Sequence, residues 1–141
     1  MIRIIKGFGL FTSWFFFSTS VFSGSPEKNL NQRQLTLFVG NSHTYVNSPT
    51  LLLEALSISN NEKIPVLTAM SVIGGAPLKK HWDKGNVVKL LNKYKWTYVV
   101  IQDAGWAPYK QPKVFHQYVK KFHKLIQTKS SKTLLYLTWR Y

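Results

Sequence analysis

Short apolar runs in this chain end in residues that could carry out nucleophilic chemistry. The run at 34–39 leads directly into Gly40, Asn41, Ser42 and His43. A serine hydroxyl can attack a carbonyl carbon, and neighbouring N–H groups can stabilise the oxyanion that the attack produces. The types and order of these residues indicate Ser42 as a candidate nucleophile.

Polar and glycine residues follow three further apolar runs. The runs lie at 64–72, 97–101 and 133–138, and the residues that follow are Gly74 with Gly75, Gln102 with Asp103, and Trp139. Open α/β sheets bind ligands at the carboxyl edge of their strands. If the four runs are parallel strands, these residues and Ser42 converge on one edge and form one site.

Helical patterns lie between the apolar runs. Ser48 and Pro49 supply an N-cap and a first-turn proline for a helix that ends at Asn60. Amphipathic patterns predict further helices at 86–94 and 112–128. Repeated strand–helix–strand units of this length form right-handed crossovers and a mostly parallel sheet with helices on both faces. We predict an α/β protein with a flavodoxin-like, three-layer α/β/α arrangement.

The N-terminal residues have the pattern of a secretory leader. Arg3 and Lys6 form a cationic start, an apolar segment follows at 7–22, and a small-x-small pattern ends at Ser23. An uncleaved membrane anchor is the alternative. The apolar segment is short for a membrane span and is interrupted by serines and threonines, which favours cleavage.

The predicted organisation therefore has three parts: a signal peptide at 1–23, a polar linker at 24–33 and one domain at 34–141. We expect a secreted or periplasmic protein that has no stable membrane span once the leader is removed.

Composition excludes several kinds of site. The sequence contains no cysteine. This excludes disulfides, thiolate nucleophiles, cysteine metal sites and attachment of a lipid anchor to a processed cysteine. His116 and His123 share one face of a predicted helix, but no third ligand of suitable spacing accompanies them. We predict neither a metal site nor a cofactor.

The formal net charge of the chain is +14 at pH 7. The lysines are spread along the sequence, and no nucleic-acid-binding motif is present, so we expect no nucleic-acid partner. Most of these lysines fall on predicted helices and loops, where a solvated face accounts for them. A basic protein is nevertheless attracted to anionic surfaces and acidic polysaccharides. Charge by itself does not identify the partner.

Four sequence blocks together resemble the SGNH (GDSL-like) hydrolases. They read Leu-Phe-Val-Gly-Asn-Ser-His-Thr at 37–44, Gly-Gly at 74–75, Tyr-Val-Val-Ile-Gln-Asp at 98–103 and Leu-Tyr-Leu-Thr-Trp at 135–139. The first block is most similar to a bacterial branch that has Gly-Asn-Ser in place of Gly-Asp-Ser. The resemblance extends from Gln34 to Trp139 and implies the fold and serine ester hydrolase activity of that family.

The resemblance also implies roles for individual residues. Ser42 corresponds to the nucleophile, and its backbone N–H forms one donor of the oxyanion hole. The N–H of Gly74 or Gly75 corresponds to the second donor. The usual third donor is an asparagine side chain that this sequence lacks, and Gln102 is the nearest amide at that strand tip.

The sequence departs from the family in one block. The family's base belongs to an Asp-x-x-His block near the end of the domain, and no Asp-x-x-His occurs in this chain. We therefore expect the N-terminal part of such a domain, with its C-terminal part missing and its activity impaired. His43 and His81 are the histidines nearest the predicted edge, and shaping the edge or stacking suits them better than service as the base.

Two functions follow from these observations. The first is ester hydrolysis on an O-acyl or acetyl group of a carbohydrate or similar small ester. Candidates for contact with the substrate are Asn41 and His43 at the strand tip, together with Trp106 and Trp139, because aromatic rings at one rim suit stacking against sugars. The alternative is a non-catalytic, basic exported protein that binds an anionic glycan or an envelope surface. The sequence does not predict an oligomeric state.

Overall fold

The structure, a computed structural model, describes residues 33–46, 48–60 and 64–138. In this part of the chain four strands form one sheet in the order β2-β1-β3-β4. They are β1 (Gln34–Gly40), β2 (Val66–Val72), β3 (Tyr98–Ile101) and β4 (Lys132–Leu135). All three strand pairings are parallel. The predicted signal peptide, nearly all of the linker and Trp139 lie outside the described residues.

Six helices connect or follow these strands in the described ranges. They are α1 (Ser42–Tyr45), α2 (Pro49–Ser59), α3 (Leu78–Lys84), α4 (Asn86–Lys93), α5 (Ala107–Lys110) and α6 (Pro112–Gln127). The predicted positions of α2, α4 and α6 are confirmed. The short helices α1, α3 and α5 were missed because four to seven residues are too few to show a helical apolar repeat.

The main hydrophobic core lies on the face of the sheet covered by α3, α4 and α6. Leu37, Val39, Val99 and Ile101 point into it from β1 and β3, and all four are fully buried. The helices contribute fully or almost fully buried side chains, among them Leu78, Val87, Leu91, Phe122 and Ile126. These side chains close the core against the two central strands.

Helix α2 lies on the opposite face of the sheet. Its Glu54 accepts hydrogen bonds from the N–H and the hydroxyl of Thr68, both at 2.7 Å. Ala69, the next residue along β2, packs against the main core instead. Since successive strand residues face opposite sides, helices cover both faces, and the predicted three-layer α/β fold is confirmed.

Large apolar side chains are exposed on both flanks of the described structure. On α2 they are Leu51, Leu52, Leu56 and Ile58, and at β4 they are Leu134, Leu135, Tyr136 and Leu137. None of the helices described here is both long enough and apolar enough to cross a membrane.

Candidate active site

The candidate nucleophile lies at the carboxyl edge of the central strand. β1 ends at Gly40, Asn41 is the N-cap of α1, and Ser42 is the first residue of that helix. The side-chain oxygen of Asn41 accepts a hydrogen bond from the N–H of His43 at 3.2 Å. A residue in the first turn of a helix has no acceptor for its N–H inside the helix. The half-buried Ser42 therefore presents a hydroxyl and a backbone donor at the sheet edge.

Asn41 ties this turn to the neighbouring strand tips. Its Nδ2 donates to the carbonyl of Ala76 at 3.1 Å, and its N–H donates to Oε1 of Gln102 at 3.0 Å. The residue is only 2% exposed. These hydrogen bonds define a structural role for Asn41, while its contact with a substrate stays a prediction.

Gln102 fastens the same turn from β3. Its Oε1 also accepts a hydrogen bond from the hydroxyl of Thr44 at 2.9 Å, so one amide oxygen holds two donors of the turn. Its Nε2 donates to the carbonyl of Asp103, and the residue is buried. Gln102 thus links β3 to the segment that carries Ser42, and its role as a third oxyanion donor stays a prediction.

Gly40 makes this close contact possible. A Cβ at Gly40 would lie 2.5 Å from Oε1 of Gln102 and still closer to the hydroxyl of Thr44. Real Cβ atoms are essentially never found at such distances from heavy atoms outside their own bonding neighbourhood. The glycine is required here because of space rather than an unusual backbone angle.

The predicted second donor lies on the loop after β2. Gly74 and Gly75 occupy a turn that the Ala76 N–H closes by donating to the carbonyl of Ile73 at 3.1 Å. Gly75 has a φ of +63°, which favours glycine. Among the described residues, the N–H groups of Gly74 and Gly75 make no hydrogen bond. The loop therefore offers two exposed donors near the turn to which Asn41 attaches it.

Asp103 holds the start of α3. Its Oδ1 accepts hydrogen bonds from the N–H of Leu78 at 2.9 Å and from that of Ala104 at 2.7 Å. Burial raises the pKa of the Asp103 carboxyl, while these two N–H donors act in the opposite direction. The carboxylate thus anchors the helix that follows the glycine loop.

His81, on α3, has a structural role inside the site, whereas the sequence predicts a residue that shapes the edge or stacks there. It is 1% exposed, and its Nε2 lies 2.9 Å from the carbonyl of Gly40. A carbonyl only accepts hydrogen bonds, so Nε2 carries the proton. Burial lowers the pKa of His81; the Gly40 hydrogen bond opposes this, and nearby Lys84 and Lys80 add to the lowering. Its interior position could not be found from the sequence, because α3 itself was missed.

Other predicted rim residues lie around this arrangement. His43 is half-buried in α1. Trp106, also half-buried, packs against a small cluster formed by Ala104, Ala107 and Phe115. Trp139 lies outside the described residues. The rim role of these three side chains stays a prediction.

The predicted histidine pair lies on the exposed side of α6. His116 and His123 are exposed, and Nδ1 of His123 lies 3.0 Å from the hydroxyl of Thr133. Within the described part of the chain, no group of three or more His, Cys, Asp or Glu residues could hold a metal ion.

Two solved structures are similar to this chain. One is a proposed SGNH hydrolase from Slackia heliotrinireducens, with 24% identity, a TM-score of 0.67 and a match that covers 77% of this chain and 58% of that one. The other is the acetyl xylan esterase AlAXEase, with 13% identity, a TM-score of 0.54 and coverage of 72% and 56%. A scan of protein-family models and a search of curated proteins find no match.

These comparisons define the class of fold. The four parallel strands and their covering helices form the α/β/α fold seen in SGNH hydrolases. The resemblance noted in the four sequence blocks is therefore confirmed as a resemblance in fold. This chain spans less than two thirds of the length of either structure.

The crowding at Gly40 leads to a first prediction. Gly40→Ala should lower the free energy of unfolding by about 1–3 kcal/mol, because overpacking forces the neighbouring groups apart. Gly74→Ala is the matched control, since a Cβ there has Tyr45 Oη at 3.7 Å as its nearest neighbour. Urea unfolding followed by circular dichroism measures both changes. Equal effects of the two substitutions would contradict the role given to Gly40.

The Gln102 contacts lead to a second prediction. Gln102→Leu should destabilise the fold by about 2–4 kcal/mol, because two buried donors lose their acceptor. Thr44→Val removes only one donor and should cost about 1 kcal/mol. A double-mutant cycle measured by urea unfolding should show that the two effects are not additive. Strict additivity would mean that the hydrogen bond between Gln102 and Thr44 contributes nothing.

The buried imidazole leads to a third prediction. The folded state lowers the pKa of His81, so the unfolded state takes up the proton first as pH falls. As pH falls, the free energy of unfolding should therefore decline between the ordinary histidine pKa and the lower pKa of folded His81. Below that range this group should cause no further loss of stability. His81→Gln keeps an N–H donor but cannot titrate, and it should reduce that decline in urea unfolding at a series of pH values.

His116→Gln is the control for this comparison, because His116 is exposed on α6. The decline assigned to His81 should persist in this variant, because His81 is intact. Asp103 contributes with the opposite sign, since its pKa is raised by burial. All three proteins are therefore compared over the same pH interval. A decline that persists unchanged in His81→Gln would refute the assignment.

Proposed function

We propose that this chain provides the nucleophile and the oxyanion hole of a serine ester hydrolase. The observation that supports this most directly is the joining of three strand tips around Ser42. Gln102 and Asn41 bind the turn of Ser42 to β3 and to the glycine loop. A hydroxyl and unengaged backbone donors are thereby held at the edge where parallel sheets bind ligands.

The proposed chemistry uses these groups in sequence. Oγ of Ser42 attacks the ester carbonyl carbon while its proton passes to a base. The carbonyl oxygen becomes an oxyanion that accepts hydrogen bonds from the N–H of Ser42 and from that of Gly74 or Gly75. The C–O bond to the alcohol then breaks, and the alcohol leaves with a proton. Water hydrolyses the acyl-serine, releases the acid and restores the hydroxyl.

Among the described residues, the step that limits this reaction is transfer of the proton from the Ser42 hydroxyl to a base. A serine hydroxyl is a weak nucleophile until a base takes its proton. The buried His81 already uses Nε2 to hold the Gly40 carbonyl. We therefore propose slow turnover, at the level that an oxyanion hole and substrate binding support without a complete triad.

We propose an acylated carbohydrate or a similar small ester as the substrate, cleaved outside the cytoplasm. The similarity in fold to an acetyl xylan esterase supports an acetylated sugar. The half-buried Trp106 and the exposed Tyr109 follow β3 at the same edge, where aromatic rings suit sugar faces. The leader pattern at 1–23 supports export.

A fourth prediction tests the nucleophile. The wild-type protein should hydrolyse p-nitrophenyl acetate slowly, and Ser42→Ala should bring the rate to that of buffer alone. Ser59→Ala is the matched control, because Ser59 is exposed at the end of α2. Labelling with a fluorophosphonate, followed by mass spectrometry, should place the adduct on Ser42. Hydrolysis that is equal in the wild type and Ser42→Ala would refute the assignment.

A further inference from the structure

Seven lysines lie on α3 and α6, two helices that pack against each other next to the candidate site. We call this group the α3–α6 surface, and it consists of Lys79, Lys80 and Lys84 on α3 and Lys113, Lys120, Lys121 and Lys124 on α6. All of these side chains are exposed except Lys121, which is half-buried. The packing of α3 against α6 brings Lys79 and Lys121, which are far apart in the sequence, to the same Tyr118 ring.

The α3–α6 surface has almost no compensating negative charge. Its one carboxylate, Asp83, pairs with Lys79 at 2.5 Å. The other two described carboxylates lie elsewhere: Asp103 is buried at the strand tips, and Glu54 is bonded to Thr68 on the opposite face of the sheet. The surface therefore carries a strong positive potential.

Aromatic rings hold part of this charge in place. Nζ of Lys121 lies 4.7 Å from the centre of the Tyr118 ring and 5.5 Å from that of Trp82. Nζ of Lys79 lies 5.8 Å from the Tyr118 ring. Cation–π contacts of this kind restrict long side chains before a ligand arrives. A preorganised charge loses less entropy when it binds an anion.

The α3–α6 surface adjoins the site through α3. That helix begins just after the glycine loop, and its His81 binds the carbonyl of Gly40, two residues before Ser42. Lys80 and Lys84 are close enough to His81 to lower its pKa. The α3–α6 surface therefore includes lysines on the helix that is attached to the end of β1, just before the Ser42 turn.

The composition of the surface favours one class of anion. It contains lysines but no arginine, and arginine is the side chain that binds phosphates and guanine edges through paired hydrogen bonds. Exposed apolar side chains lie on α2, on the other face of the sheet, and at β4, whereas the α3–α6 surface as defined presents only ammonium groups and none that would insert into a bilayer. Several lysine ammonium groups, next to a site proposed to cleave a sugar ester, suit a polymer that carries carboxylate groups.

We propose that the α3–α6 surface binds an acidic polysaccharide and that the ester presented to Ser42 is an O-acyl group on such a polymer. The choice of substrate rests on the proposed ester hydrolysis, whereas binding of the polymer does not.

The fifth prediction tests this binding with polygalacturonate as the probe and dextran as the neutral comparison. Lys80→Gln, Lys84→Gln and Lys124→Gln are combined in one variant, which leaves the ring contacts of Lys79 and Lys121 intact. We expect this variant to bind polygalacturonate about tenfold more weakly than the wild type, and we expect added salt to weaken wild-type binding. Neither protein should bind dextran. Fluorescence titration or affinity electrophoresis measures the affinities.

A second triple variant controls for net charge. Lys89→Gln, Lys95→Gln and Lys129→Gln remove the same charge from exposed lysines outside the α3–α6 surface. This variant should stay within about twofold of the wild type, because none of its three lysines belongs to the surface proposed to contact the polymer. Equal weakening in both triple variants, or no binding of polygalacturonate, overturns the proposal. Tighter binding to single-stranded DNA or to anionic lipid vesicles than to polygalacturonate overturns the choice of partner.

Assays on the small ester separate this proposal from the proposed function. The surface variant should hydrolyse p-nitrophenyl acetate at the wild-type rate, and Ser42→Ala should bind polygalacturonate with wild-type affinity. If hydrolysis depends on Ser42 but the polymer does not bind, the proposal for the α3–α6 surface is refuted and the proposed ester hydrolysis is retained. If the polymer binds but no hydrolysis depends on Ser42, the proposed ester hydrolysis is refuted and the proposal for the α3–α6 surface is retained.

Discussion

The geometry of the candidate site depends on one amide oxygen, Oε1 of Gln102. It accepts hydrogen bonds from the backbone of Asn41 and from the hydroxyl of Thr44, residues on either side of Ser42. The contact is close enough to exclude a Cβ at Gly40. Because Oε1 is buried with both donors, loss of the side chain would leave polar groups unpaired in the interior. The position of the serine is thus set by β3 as much as by its own strand.

Further hydrogen bonds extend this constraint to the second strand. Asn41 reaches the carbonyl of Ala76, and Asp103 reaches the N–H of Leu78, so the glycine loop is held at both the turn and the start of α3. His81 completes the connection at the carbonyl of Gly40. The buried polar side chains at this edge thus hold the turn and the loop in place by hydrogen bonds. The backbone N–H groups of the glycine loop remain exposed at the edge. α3 also carries Lys79, Lys80 and Lys84, so part of the positive surface lies on the helix that His81 attaches to the end of β1.

Much of the fold could be predicted from local pattern. Apolar runs of strand length alternate with amphipathic helices, and this order is sufficient to indicate parallel pairing and convergence of the strand tips. The short helices α1, α3 and α5 give no such pattern. The position of His81 was missed for the same reason, since its burial depends on α3 packing against the end of β1 rather than on its sequence neighbours.

The sequence by itself determined the order of elements, the location of Ser42 at a strand end, and the residue types at the other strand ends. Only the tertiary structure decided which of these residues support the site and which of them face solvent. Gln102 and Asn41 are 61 positions apart, and His81 and Gly40 are 41 apart, so no local pattern encodes their hydrogen bonds. The same holds for Lys79 and Lys121, because these distant positions reach the same Tyr118 ring only when α3 packs against α6.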